Sequence, residues 1–260
     1  MAAPLVSIVT PSFNQAPFLE AAMASVFAQD YAPIEYIVID GASTDGSVDV
    51  IKRHAQKLAH WVSEPDLGQT EAINKGFAKA NGVYLAWLNA DDRLRPQAVG
   101  EAVAYLEAHP EIGLVYGDAD YIDAQGSVVG SFPAAQTDYA RLRRGYVHIP
   151  QQAAFWRAAL WKQVGPLDPS FTFAMDYDLW VRLARFSELH YLPRSWAEFR
   201  LHADSKTIKN DQRAWDEMLL VHWREGGSWF APIIAKYWIR RLAAPFIHAR
   251  RRHMLETKRT

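Results

Sequence analysis

The sequence predicts an α/β fold: a mixed, mostly parallel sheet flanked by helices, with a C-terminal helical extension. Three observations predict it. Short runs of β-branched and aromatic residues alternate with segments of helical length through the first half of the chain, the pattern of β-α units that build a sheet covered on both faces. Half of the 260 residues are hydrophobic, enough to close one large core. Between Lys206 and Asp211 the composition turns to Trp and Arg. That shift sets the expected boundaries, residues 1–205 for the α/β domain and 206–260 for a helical, basic and aromatic extension.

The elements follow in order. Val6 to Thr10 is a short apolar strand. Pro17 to Gln29 sets Phe18, Ala21, Ala22, Ser25 and Val26 on one helical face. Tyr36 to Asp40 is the second strand, Gly41 to Gly46 a turn, and Ser47 to Leu58 a helix. His60 to Ser63 is a brief third strand, Gly68 to Ala80 a helix, and Tyr84 to Leu88 a fourth strand. Pro96 to Ala108 reads as a helix stopped by His109-Pro110. After Gly113 the texture changes: Leu114 to Tyr116 runs toward a hairpin turning at Asp123-Ala124-Gln125-Gly126. Gln151 to Arg157 reads as a strand, Met175 to Phe186 as an amphipathic helix, and Leu189 to Leu192 as a strand. Sheets of this kind bind ligands beyond the carboxyl ends of their strands, where Thr10, Asp40, Glu64 and Asn89 fall.

Composition excludes several chemistries. There is no cysteine, hence no disulfide framework, no thiolate-held zinc and no thiol nucleophile. The chain enters its first strand without a charged-then-apolar leader, so no cleaved signal peptide is expected. No run of about eighteen uncharged apolar residues predicts a membrane span. These readings point to a cytoplasmic protein. The net charge of −1 hides an asymmetry: Lys236 to Thr260 carries eight Lys/Arg against Glu256 alone, +7, which leaves −8 on the remainder. Aromatic residues (Trp223, Trp229, Phe230, Tyr237, Trp238, Phe246) interleave with that charge and with Arg250-Arg251-Arg252. The mixture suits attachment to an anionic membrane surface, at the inner face of the plasma membrane, or a packed helical cap. No nucleic-acid-binding signature is visible, and the oligomeric state is left open.

The densest chemical signal is Leu88-Asn89-Ala90-Asp91-Asp92. Carboxylates where a buried strand runs out are poorly placed for a core and well placed for a hard divalent cation that grips phosphate oxygens. Five further motifs occur in order: Val6 to Asn14, Ile39-Asp40-Gly41-Ala42-Ser43-Thr44-Asp45-Gly46, Glu64-Pro65-Asp66-Leu67-Gly68-Gln69, Ala72-Ile73-Asn74-Lys75-Gly76 and Met175-Asp176-Tyr177-Asp178-Leu179-Trp180. Together they resemble the family 2 glycosyltransferases of the GT-A fold, a Rossmann-like architecture, over about residues 5 to 205.

That resemblance implies an inverting transfer of sugar from a UDP-, GDP- or dTDP-linked donor to a hydroxyl acceptor, a glycan or lipid-linked glycan as in bacterial surface polysaccharide synthesis. It implies Mn²⁺ or Mg²⁺ as cofactor. Thr10 and Pro11 would lie against the nucleotide; Asp40 and Asp66 would hold base and ribose; Gly68 and Gln69 would open a helix near the phosphates. Asn89 would bond a ribose hydroxyl, and Asp91 would ligate the metal with Asp92 as second candidate. Arg200 or Lys206 would meet phosphate oxygens and His202 would be a third metal ligand or a lone surface histidine, in a segment continuing to Ser205, Lys206 and Thr207. Asp176 would be the general base, with Asp178 competing for that role.

The sequence departs from the family pattern at Gly41, Ile73, Asn89 and Met175, where acids or an Arg are usual. Alternatives therefore stand beside these roles. Asp40 could cap the turn behind it, Asp176 could cap its helix, and the whole protein could be a catalytically silent scaffold for glycan assembly. A phosphatase loop of the haloacid dehalogenase kind would need an Asp at Ala42, and Walker and dinucleotide glycine loops are absent.

Overall fold

The computed structural model describes residues 2–202 and 211–242. In chain order the elements are β1 (Val6–Ser12), α1 (Ala16–Phe27), β2 (Ile34–Asp40), α2 (Ser47–Arg53), β3 (His60–Ser63), α3 (Gln69–Phe77), β4 (Tyr84–Trp87), β5 (Arg93–Leu94), α4 (Ala98–Ala108), β6 (Ile112–Ile122), β7 (Val128–Ser131), α5 (Tyr139–Leu142), β8 (Ala154–Arg157), α6 (Ala158–Val164), α7 (Met175–Ala184), β9 (Glu188–Arg200) and α8 (Asp211–Arg224). A last helix covers residues 232–242. One nine-stranded sheet runs in the order β3-β2-β1-β4-β8-β6-β9-β5, with β7 paired to β6. The first four strands of that order are mutually parallel. Beyond β4 the sheet is mixed, with β8 antiparallel to β4 and β6, and β9 parallel to β6.

The strand pattern explains the layers. Side chains alternate across a strand, so Val6 and Ile8 of β1 join Tyr36, Val38, Tyr84 and Ala86 in one core under α1, α2 and α4. Val9, Ile37, Ile39, Leu85 and Trp87 point the other way, into a second core with α3, α6 and α7. Both faces are buried, which is why these strands read as unbroken apolar runs. In the second core Trp87 stacks on Trp180 of α7, with centroids 5.9 Å apart and planes 10° apart, and meets Trp156 edge-on. This aromatic contact fixes α7 against the end of β4.

Two elements differ from the sequence reading for identifiable reasons. Gln151–Ala153 is a 3₁₀ turn, and only Ala154–Arg157 is strand. The Gln151 side chain, not its backbone, closes on β4 by donating to the Trp87 carbonyl at 2.7 Å. β9 runs far past Leu192. Pro193 would stop a ladder, but the β6–β9 register slips between Tyr116 and Asp118 and absorbs it. The predicted hairpin is present, with Asp123 accepting from the amides of Gln125 and Ser127 at its turn.

Candidate active site

A cleft of about 1330 Å³ opens at the carboxyl ends of β1, β2 and β4. Among the expected site residues, Pro11, Asp66, Gly68, Gln69, Asn89, Asp91, Asp176 and His202 line it. Thr10, Asp40, Asp92 and Arg200 do not.

Asn89 and Asp91 follow β4 directly, so the sheet itself aims them. Asn89 is held from three sides. Gln69 Nε2 donates to its Oδ1 at 2.7 Å, and its own Nδ2 donates to Gln151 Oε1 at 3.1 Å and Asp92 Oδ2 at 3.2 Å. Asp91 Oδ2 lies 3.0 Å from His202 Nε2. The His202 ring rests on Phe18 of α1, centroids 4.7 Å apart. Phe18 thus seats a residue that follows β9, a contact that no motif announces. A carboxylate oxygen beside an imidazole nitrogen is a donor pair that fits Mn²⁺ better than the harder, oxygen-preferring Mg²⁺. Among the described residues no third His, Asp or Glu joins this pair.

Four expected contacts are corrected. The Thr10 hydroxyl is buried and hydrogen-bonds the Tyr36 hydroxyl at 2.9 Å, because strand alternation turns it into the sheet's interior. Asp40 is fully buried and accepts from Ser43 N, Ser43 Oγ and Ser63 Oγ at 2.9, 2.6 and 2.7 Å. It is the turn cap, holding a loop in which Ala42 takes the left-handed φ of 61°, a conformation that costs a Cβ-bearing residue about 1–2 kcal/mol. Asp92 is likewise buried. It accepts from the Arg200 amide at 2.9 Å, and burial, reinforced by the charge of Asp91, raises its pKa well above the ordinary value. Arg200 is buried over Phe18, with Nε donating to the Asp91 carbonyl and Nη1 to those of Asp123 and Ala124. Asp92 and Arg200 tie β9 to the Asp91 loop behind the cleft wall. Ser205, Lys206 and Thr207 lie outside the described residues.

Gly41 has a local explanation. A Cβ added there would stand 2.9 Å from Asp66 Oδ2. The missing side chain makes room for the Asp66 carboxylate, which lines the cleft at that spot and accepts from Gly68 N at 2.8 Å. Gly68 itself takes φ 119°, a value open to glycine, before α3 begins. The buried Ser12 hydroxyl and Gln152 amide nitrogen line the same cleft with no hydrogen-bond partner among the described residues.

Asp176 sits in the first turn of α7, four residues before Trp180, so the Trp180–Trp87 stack positions it relative to Asn89 and Asp91. The cap position of α7 is Ala174, not Asp176. Burial pushes the Asp176 carboxyl up to about 6; hydrogen bonds from the Tyr177 and Asp176 amides oppose this, and the Glu217 charge adds to it. Glu217 belongs to α8 and bonds the cleft-lining amides of Thr172, Phe173 and Ala174, a contact that the motifs missed, as they missed the cleft-lining Ala214 and Met218 beside it. The helix start therefore has two carboxylates beside it, Asp176 and Glu217.

Comparison with known proteins identifies the family. The sequence model of Glycosyl transferase family 2 matches residues 7–163. An uncharacterized glycosyltransferase of Mycobacterium tuberculosis is 34% identical over 72% of this chain and 71% of its own length. A PGL/p-HBAD biosynthesis glycosyltransferase of Mycobacterium bovis is 31% identical over 70% of each chain. Among solved structures, S. aureus TarS in complex with UDP-GlcNAc superposes with a TM-score of 0.71 at 15% identity, covering 92% of this chain and 72% of that one. The mannosyltransferase PcManGT of Pyrobaculum calidifontis, in complex with GDP-Man and Mn²⁺, gives 0.65 at 21% identity, covering 92% and 71%. The fold, the ordered motifs and this extent of identity lead to one conclusion: the chain belongs to glycosyl transferase family 2 and is a glycosyltransferase of GT-A architecture.

Proposed function

We propose that the protein transfers a glycosyl group from a nucleoside diphosphate sugar to a hydroxyl of a glycan or lipid-linked acceptor, with inversion at the anomeric carbon and Asp176 as general base. The observation that carries this reading is one cleft holding both halves of the reaction. The Asp91–His202 pair follows β4 and β9, while Asp176, with its pKa near 6, stands on α7. Pro11, Asp66, Gly68, Gln69 and Asn89 supply the donor's surroundings. The acceptor oxygen attacks the anomeric carbon as the bond to the diphosphate oxygen breaks. The acceptor proton passes to the Asp176 carboxylate, and the nucleoside diphosphate leaves with the electron pair. Asp91 and His202 would hold a divalent cation, which would supply charge neutralisation for the departing diphosphate. A base with pKa about 6 is ionised at neutral pH yet basic enough to take the proton. Initial rates with UDP-, GDP- and dTDP-sugars in Mn²⁺ or Mg²⁺, with NMR of the product anomer, test it. Retention of configuration or metal-independent transfer would overturn it.

We also propose that the enzyme works at a membrane surface, where a lipid-linked acceptor would lie. Among the described residues no helix is long and apolar enough to cross a bilayer. The turn after α8 exposes Trp229 and Phe230 by 72% and 95%, and Trp238, Ile239 and Leu242 are exposed on the helix beyond. Arg250-Arg251-Arg252 lies outside the described residues. Exposed aromatic residues beside Lys and Arg suit an anionic bilayer, where each cation contributes about 1 kcal/mol. Co-sedimentation with anionic but not neutral vesicles at low salt tests this, and equal partitioning to both would refute it.

A further inference from the structure

We infer that Glu217 of the C-terminal extension is a positioning residue for the catalytic base, clamping the loop that carries Asp176 into the cleft. The inference rests on the reading of Asp176 as base. The sequence of the α7 start, Thr172-Phe173-Ala174-Met175-Asp176, supplies no Ser, Thr, Asp or Asn at the cap, and Ala174 makes no side-chain cap bond. A helix end with orphan amides needs another acceptor. Glu217 provides it from 43 residues away: its carboxylate accepts from the cap amide of Ala174 at 2.9 Å and from the two amides leading into it, Phe173 at 2.7 Å and Thr172 at 3.0 Å. It is buried, and Arg213 one turn earlier bonds both Glu217 Oε1 and Thr172 Oγ1 at 3.3 Å. Thr172, Phe173 and Ala174 themselves line the cleft. An anion also suits the positive end of a helix.

The same carboxylate acts on the base. The charged groups disposed around Asp176 are Glu217 and Arg213 on α8, Asp178 paired with Arg182 on α7, and Asp66, Asp91 and His202 on the other cleft walls. Among them, the Glu217 charge is the one that raises Asp176. The extension is thereby part of the catalytic apparatus, and losing it would loosen the base and lower its basicity together.

Two substitutions separate reach from charge. Glu217→Gln removes the charge. Its expected signature is faster amide hydrogen exchange at residues 172–174 and an acid limb of the kcat/KM profile moved to lower pH. Glu217→Asp keeps the charge but withdraws it by one methylene. It leaves the limb near its original pH, while kcat falls by up to about 10²-fold, the scale of a slightly misplaced catalytic group. Unchanged exchange at 172–174 in Glu217→Gln overturns the clamp. Faster exchange with kcat and the limb both unmoved overturns the positioning role and leaves only a fold contact. Asp176→Asn is run alongside. If it keeps the wild-type rate, the base reading falls, and the exchange data still decide the clamp.

Discussion

Replacing Asp176 by Asn tests the base and its environment at once, because activity and stability move in opposite directions. Asn keeps the size of the side chain and can still accept from the Tyr177 amide, which lies 2.7 Å from Oδ1. Loss of a general base lowers kcat by about 10²–10⁴-fold with donor affinity retained. The stability effect follows from the raised pKa. Burial lifts the carboxyl from 3.8 to about 6, so the folded chain holds this proton more tightly than the unfolded chain. Stability is therefore lost as pH rises from about 4 to about 6, and the full cost stands above that window. At 1.36 kcal/mol per pKa unit the cost is about 3 kcal/mol. Asn carries no charge to desolvate and no repulsion with Glu217, so the variant is more stable at pH 8, with Tm higher by on the order of 5–10 °C for a chain of this size. The gain shrinks as pH falls through 6 and disappears near 4. Thermal melts of both proteins from pH 4.5 to 8, with kcat at saturating donor, provide the readout. An undiminished kcat, or a stability difference that does not change with pH, would refute the reasoning.

Further outcomes follow from the other contacts. Asp91→Ala abolishes metal-dependent nucleotide binding and transfer but leaves the circular dichroism spectrum intact, and His202→Asn raises the metal concentration needed for half-maximal rate; transfer in EDTA that is indifferent to both would remove the metal assignment. Asp66→Asn weakens donor binding, read by calorimetry, whereas Asp40→Asn lowers stability by about 1–3 kcal/mol through lost loop bonds with donor Kd little changed; the opposite pattern would restore Asp40 as the nucleotide contact. Trp180→Ala costs about 3–5 kcal/mol in denaturant melts and also lowers kcat, since the fully buried ring ties α7 to β4.

By itself the sequence determined the parallel half of the sheet, its crossover helices and the end at which the cleft opens. Local period and turn chemistry encode these within stretches of about ten residues. The resemblance carried by its ordered motifs also led to the expectation of Asn89, Asp91, Asp66 and Asp176 in one site, and all four line the same cleft. It could not say which acid faces the cleft. Asp40 and Asp66 are both carboxylates near strand ends. The pairing of Asp40 with Ser63 across β2 and β3 buries one, and the missing Cβ of Gly41 admits the other. Nor could it distinguish Asp91 from Asp92, neighbours that the turn after β4 sends to opposite sides of the wall. The seating of His202 on Phe18 joins residues 184 positions apart, and the clamp of Glu217 on the α7 start joins residues 43 to 45 apart. No local pattern records either contact, because each exists only once β9 and α8 have packed back across the sheet.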